Sequence, residues 1–383
     1  MKKILLFLLL VPLTLAWSAG AQETSTPAPK SNAQALEELK KLTAEMEAEL
    51  KELQKLEPRY GFIDHSGKIV IPPRFEDAQK FSQGRARVKL DGKYGYLDKT
   101  GVVIIPAQFA LADDFSEGLA AVALSQDGLW GFIDPNGTQV IPPKFSDYGN
   151  FSQGLAQAEL PDHKGKIGFI NQRGDWVIPP QLREADDFSE GLAAVRFGEK
   201  WGYIDPKGIL VIRPRFKEAA KFSEGLASVV FNKRLGYIDR KGRLVIKEKP
   251  ARHMFGEFSH RMTIFAGNAP QPKLAKKGFI DKAGKVVIPA KFANAEPFSE
   301  CLAAVEVAKG TGFIDQTGEM VIPPQFDAAG SFSEGMAKIK NNGKFGFIDQ
   351  TGKIVIEPQF LEAGSFSEGL AAVKLVPPPA SDR

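Results

Sequence analysis

The chain has 383 residues with 43% hydrophobic and 25% charged side chains, which places it among globular proteins and excludes wholesale disorder. A formal net charge of +4, of which Lys2 and Lys3 contribute two, lacks the marked basic surplus of a nucleic-acid binder. One cysteine excludes an internal disulfide framework and cysteine-cluster zinc sites, and four histidines leave little material for metal or acid–base chemistry.

Residues 1–21 read as a secretory signal peptide. Lys2 and Lys3 precede a short apolar run from Ile4 to Leu15, and Ala19-Gly20-Ala21 is a small-residue cleavage site. The run of about 12 residues falls short of the ~20 needed to span a bilayer as a helix. The mature chain is therefore expected to be exported, to the periplasm or beyond, without a transmembrane segment. A polar linker follows over 22–32. The spacing of Leu36, Leu39, Leu42, Met46, Leu50, Leu53 and Leu56 then predicts an amphipathic helix over 33–57, ended by Pro58. Three roles stay open for it: a cap on the next domain, a coiled coil supporting self-association, or a spacer.

From Tyr60 the sequence repeats. A glycine, an aromatic residue, Ile or Leu, and Asp or Asn recur at Gly61, Gly95, Gly131, Gly168, Gly202, Gly236, Gly278, Gly312 and Gly346, spaced 34, 36, 37, 34, 34, 42, 34 and 34 apart. Such a period marks one supersecondary unit copied in tandem. Within a copy, GFID is a short strand entering a turn. Its Asp (64, 98, 134, 205, 239, 281, 315, 349, with Asn171 in one copy) accepts backbone N–H bonds, and the Gly three residues on takes positive φ. A β-branched KIVIP strand follows, and its prolines are expected to end ladder pairing. A loop with two Phe six apart leads through FSEG into a third strand, LAAV, whose polar tip opens the next copy. One copy alone cannot bury enough apolar surface, so neighbours must supply its core. A short tail, rich in proline, occupies 376–383.

The run of aromatic-Gly-aromatic-Ile-Asp, VIPP and FSEGLA resembles the WG-repeat (KWG) family over residues 60–375. The namesake tryptophan survives at Trp130 and Trp201, and Tyr60, Tyr94, Ile167, Leu235, Lys277, Thr311 and Phe345 hold that column elsewhere. Copy six departs furthest, with Lys247-Glu248 for the two prolines and Phe258-Ser259-His260-Arg261 for FSEG. The resemblance implies a β-rich, non-catalytic, often exported repeat scaffold. The expected fold is all-β: three-stranded antiparallel repeats in an open array or superhelix over 58–375, preceded by the helix. A closed β-propeller is the alternative. Its blades usually have four strands and about 40 residues, which nine copies of about 34 fit poorly. Yet the strand at Tyr60 and the unpaired LAAV strand at Leu370–Val373 could pair and close a ring.

Chemistry is sparse. The repeated Ser-Glu of FSEG could be a carboxylate ladder for cations, but a turn explains it: Ser bonds local backbone, Glu is solvated and Gly takes positive φ. His65, His163, His253 and His260 match no metal signature. Cys301, in the FSEG glycine position, reads as a tolerated small residue. No catalytic, metal or cofactor site is expected. The binding candidates are the aromatic series Tyr94, Trp130, Trp201 and Phe345, with Trp176 beside it, and the variable tips at Ser125–Leu129, Pro161–Lys166 and Asn341–Lys344. Partners read as a protein or an envelope polymer, with glycan binding through the rings as the rival. A hydrolase site in copy six is a third reading.

Overall fold

A computed structural model describes Lys40, Lys41, Thr43 and residues 57–162, 165–250, 256–267 and 275–375, with the side chains of 248–250 excepted. The chain divides into two units, 1–56 and 57–383. In the first, Lys40, Lys41 and Thr43 have helical backbone and are exposed. The signal peptide, the linker and the rest of the expected helix up to residue 56 lie outside the described residues, as does the tail at 376–383, and Glu57 is a bend. From Arg59 on every described element is a strand, and no helix among the described residues is long and apolar enough to cross a membrane.

The second unit is a nine-bladed β-propeller. Its strands form nine antiparallel sheets, seven of four strands and two of three. A typical blade takes Asp77–Ser82, Arg85–Leu90, Lys93–Leu97 and Val103–Phe109 in order. Each blade thus joins the FSEG and LAAV segments of one copy to the GFID and VIPP strands of the next. The expectation of an open array is overturned at the ends of the unit. Arg59–Ile63, near its start, pairs with Ala371–Leu375 near its end, in register from Arg59 opposite Leu375 to Ile63 opposite Ala371. Together with Ile69–Phe75 and Glu362–Ala363 they form the ninth blade. A blade of 34 residues suffices because the strand that opens it is often only two residues long, as at Leu111–Ala112, and its connections are tight.

The core lies between blades. In every copy the GFID aromatic packs against the FSEG phenylalanine, which belongs to the neighbouring blade. Phe62 and Phe81 are 5.1 Å apart by ring centroid, and Phe313 and Phe332 4.9 Å. Nine such pairs sit in nine separate buried clusters, one per seam. Six of the pairs meet edge to face and three are tilted, contacts that add about 0.5–1.5 kcal/mol per pair beyond area burial.

The prolines do not end their strand. Ile69–Phe75 runs through Pro72-Pro73, pairing Ile71 with Phe62 and Phe75 with Tyr60, so two extra residues bulge out on an edge where proline is tolerated. That bulge crosses directly over Gly61. A Cβ there would stand 2.5 Å from the Ile71 carbonyl oxygen, which is why the column is glycine.

Candidate functional site: the tip rim and the divergent seam

The polar columns common to all copies turn inward, to structure. Ser-Glu-Gly closes a two-residue hairpin in which Glu117 (φ 49°) and Gly118 (φ 85°) are both left-handed, the type I′ arrangement. The serine does not bond local backbone, as expected, but the next blade. Ser82 Oγ donates to the Phe115 carbonyl at 2.7 Å, and the relay passes through all nine copies until Ser367 donates to Phe81. Nor is the glutamate merely solvated. Glu117 accepts from the Gln153 and Gly154 amides at 2.6 and 2.7 Å, and Glu368 accepts from Gly84 across the closure. Glutamate or glutamine does this in eight copies. His260 takes the ninth place, its Nδ1 lying 3.1 Å from the Phe298 carbonyl oxygen. The carboxylate ladder is a ring of interblade clamps.

The Asp column behaves as expected. Asp98 accepts from the Thr100 hydroxyl and from the Thr100 and Val102 amides, and these bonds, the hydroxyl's foremost, hold its carboxyl below the usual range against some desolvation. Asn171 makes the same backbone bonds without a charge.

The tips that join LAAV to GFID strands lie at the opposite end of the blades from these turns. Most are minimal. Asn342 (φ 49°) and Gly343 (φ 77°) close the Asn341–Lys344 tip as a two-residue turn. The extra residues of the longer copies fall mainly in three tips, between Ala123 and Trp130, between Glu159 and Ile167, and between Ala266 and Lys277, while two of copy six's eight precede Phe258. His163 and His253 lie outside the described residues.

The aromatic series stands on this rim, each ring at the start of its GFID strand and half-buried. Strand neighbours cap the rings. Arg87 and Lys89 stand 5.4 and 5.0 Å over Tyr94, and Lys338 and Lys340 cover Phe345. Trp130 packs at 4.3 Å on Tyr148, and Trp201 joins the seam beside Phe216 and Phe222. Trp176 packs edge-on to Phe145. The series is thus spread along the rim, one ring per blade, rather than gathered into one pocket.

Sequence reasoning missed a polar cluster at the seam beside Tyr96. Arg87 approaches Asp113 at 3.4 Å and Asp114 at 3.3 Å, Tyr148 donates to Asp113 at 2.5 Å, and burial pushes the Asp114 carboxyl up. The ADDFSEG spelling shared by copies two and four was its signal, and Asp186 in copy four is likewise pushed up by burial. With Arg87 and Tyr148 engaged, the cluster ties blades together.

Copy six leaves a gap. A cleft of about 340 Å³ opens between Leu235–Tyr237, Val245–Lys247 and Ile280–Gly284, where Lys247 replaces the first proline. Its walls mix aliphatic side chains with polar backbone, Tyr237 and Lys247, and Lys247 is exposed. His260 (φ 51°) and Arg261 (φ 65°) close the adjoining hairpin, as Glu300 and Cys301 do in the next copy, and Cys301 is exposed. No group of three or more His, Cys, Asp or Glu among the described residues could hold a metal.

A family model described as WG containing repeat matches residues 60–94, 94–125, 130–160, 167–201, 201–234, 278–309, 312–345 and 345–375, eight of the nine copies, passing over copy six. No curated protein matches in sequence. Among solved structures, a eukaryotic initiation factor is similar over 85% of this chain and 100% of its own, at 12% identity and a TM-score of 0.54. The dihydro-heme d1 dehydrogenase NirN aligns over 77% of this chain and 76% of its own, at 13% identity and a TM-score of 0.42. The first likeness concerns the fold alone.

Proposed function

The chain belongs to the family of WG-containing repeats, and from that premise we propose that it is an exported, non-catalytic scaffold binding a protein or envelope polymer on its tip rim. The observation that carries this reading is where the copies differ. The shared serine and glutamate or glutamine columns engage the neighbouring blade, whereas the added length of the 36- and 37-residue spacings, and six of the eight added residues of the 42-residue one, collects in three tips at one end of the blades. Variable loops on a rigid frame are where recognition usually resides.

The test is capture from the protein's own envelope with the mature chain as bait. Replacing the tip 267–276 by a two-residue Asn-Gly turn should abolish retention of the partner while the cooperative melt stays intact. Undiminished capture would refute the reading. Retention on purified cell wall that is lost on Trp130→Ala with Trp201→Ala would move the function to glycan binding. Hydrolysis abolished by His260→Ala would replace the scaffold with an enzyme.

A further inference from the structure

The free edge of the ring is strongly polarised. In each blade the VIPP strand ends the sheet, and the hairpin leading into it presents aliphatic side chains to solvent. In three consecutive blades those hairpins, 205–217, 239–250 and 281–292, carry twelve Lys or Arg against four acids. Three of the acids, Asp205, Asp239 and Asp281, accept backbone N–H bonds within their own turns. The hairpins 315–327 and 349–361 of the next two blades carry one basic residue, Lys353, against five acids. The chain's small net charge conceals this segregation.

Cations alone would suit any polyanion, but here they alternate with exposed aliphatic side chains. Ile209, Leu210 and Val211 are 59, 42 and 46% exposed, and Leu244, Val245 and Val286 40–42%. Lys207, Lys241, Lys247 and Lys285 stand among them, and the copy-six cleft opens in the same sector. Anionic headgroups pair with such ammonium groups, while the aliphatic residues enter the boundary between headgroups and acyl chains. A hydrophilic polyanion would leave the aliphatic residues without a partner. We propose that the outer edge of these three blades is a docking surface for an anionic lipid bilayer, separate from the tip rim.

The experiment uses the mature chain in co-flotation with phosphatidylglycerol-containing vesicles and with pure phosphatidylcholine vesicles. At least tenfold more protein should float with the anionic vesicles, and raised salt should weaken that binding. Lys241→Glu with Lys247→Glu and Lys285→Glu should bring it to the phosphatidylcholine level without altering the melt. Leu244→Ser with Val286→Ser should weaken it several-fold. Lys68→Glu with Lys353→Glu, outside the sector, should leave it unchanged. Equal binding to both vesicle types, or a triple variant that binds like the parent, would overturn the proposal. So would retention by a soluble acidic polysaccharide without flotation, which would reassign the surface to a polyanion.

Discussion

Copy eight, Gly312–Phe345, and copy six, Gly236–Lys277, share the GFID, VIPP and LAAV strands, yet one keeps most consensus positions and the other few. At the seam of copy eight, Phe313, Ile322, Phe326, Phe332, Ala337 and Ile339 are 0–2% exposed. At the seam of copy six, Ile246 is 8% and Phe265 9% exposed, and the cleft opens beside them. The aromatic pair survives in both, at 4.9 and 5.0 Å. The difference teaches that the seam aromatics and the serine relay suffice to keep a blade in the ring. The prolines and the FSEG glutamate and glycine are refinements that one copy can lose, and that loss leaves a cleft.

The comparison can be broken most violently at the closure. Removing residues 371–383 deletes the strand that pairs with Arg59–Ile63, and the cooperative thermal transition should disappear in calorimetry. Next come the seam aromatics. Phe332→Ala should cost about 3–5 kcal/mol by chemical denaturation. Phe258→Ala, at the looser seam, should fall at or below the lower end of that range, and equal costs would erase the distinction drawn here. Gly312→Ala should cost about 3 kcal/mol, because its Cβ would stand 2.5 Å from the Ile322 carbonyl oxygen.

Restoring the consensus should move stability the other way. Cys301→Gly relieves a non-glycine residue at φ 67° and should stabilise by about 1 kcal/mol. The smallest effect is electrostatic. Asp98, Asp315 and Asp349 have carboxyls lowered chiefly by a threonine hydroxyl and then by backbone amides. A depressed folded pKa adds stability above the ordinary carboxylate value, and that stability is lost as pH falls through the folded value. The melting temperature should therefore drop below about pH 4. Asp98→Asn, which copies the residue found naturally at Asn171, should keep the turn and reduce that drop slightly.

Much of the frame was legible in the residues. The period, the three main strands and the turn roles of Asp and Gly follow from local chemistry, and local chemistry is what a repeat displays. The dependence of each copy on its neighbour was also legible, and Phe62 on Phe81 shows its form. Closure was harder, because a blade is ordinarily counted as four full strands, whereas here the opening one is often two residues. The serine and glutamate columns look local in the sequence because their partners lie in the next copy, about 35 residues away, as Ser116 to Phe151. The GFID glycine hid its reason differently: the backbone that crosses it lies only ten residues on, as Ile71 over Gly61, but nothing in a strand shows the crossing. The rim of half-buried rings and the Arg87–Asp113–Asp114 cluster needed coordinates, since each unites residues from different blades.

The most direct test of the closed ring is a cross-link between its ends. Tyr60 and Lys374 are direct strand partners in the ninth blade, where Cα atoms stand about 4.5–5.5 Å apart, within disulfide reach. With Cys301 replaced by Ala, Tyr60→Cys and Lys374→Cys should form an intramolecular disulfide under mild oxidation and raise the melting temperature. Two thiols that stay reduced in the folded monomer, or that join only between molecules, would contradict the ring.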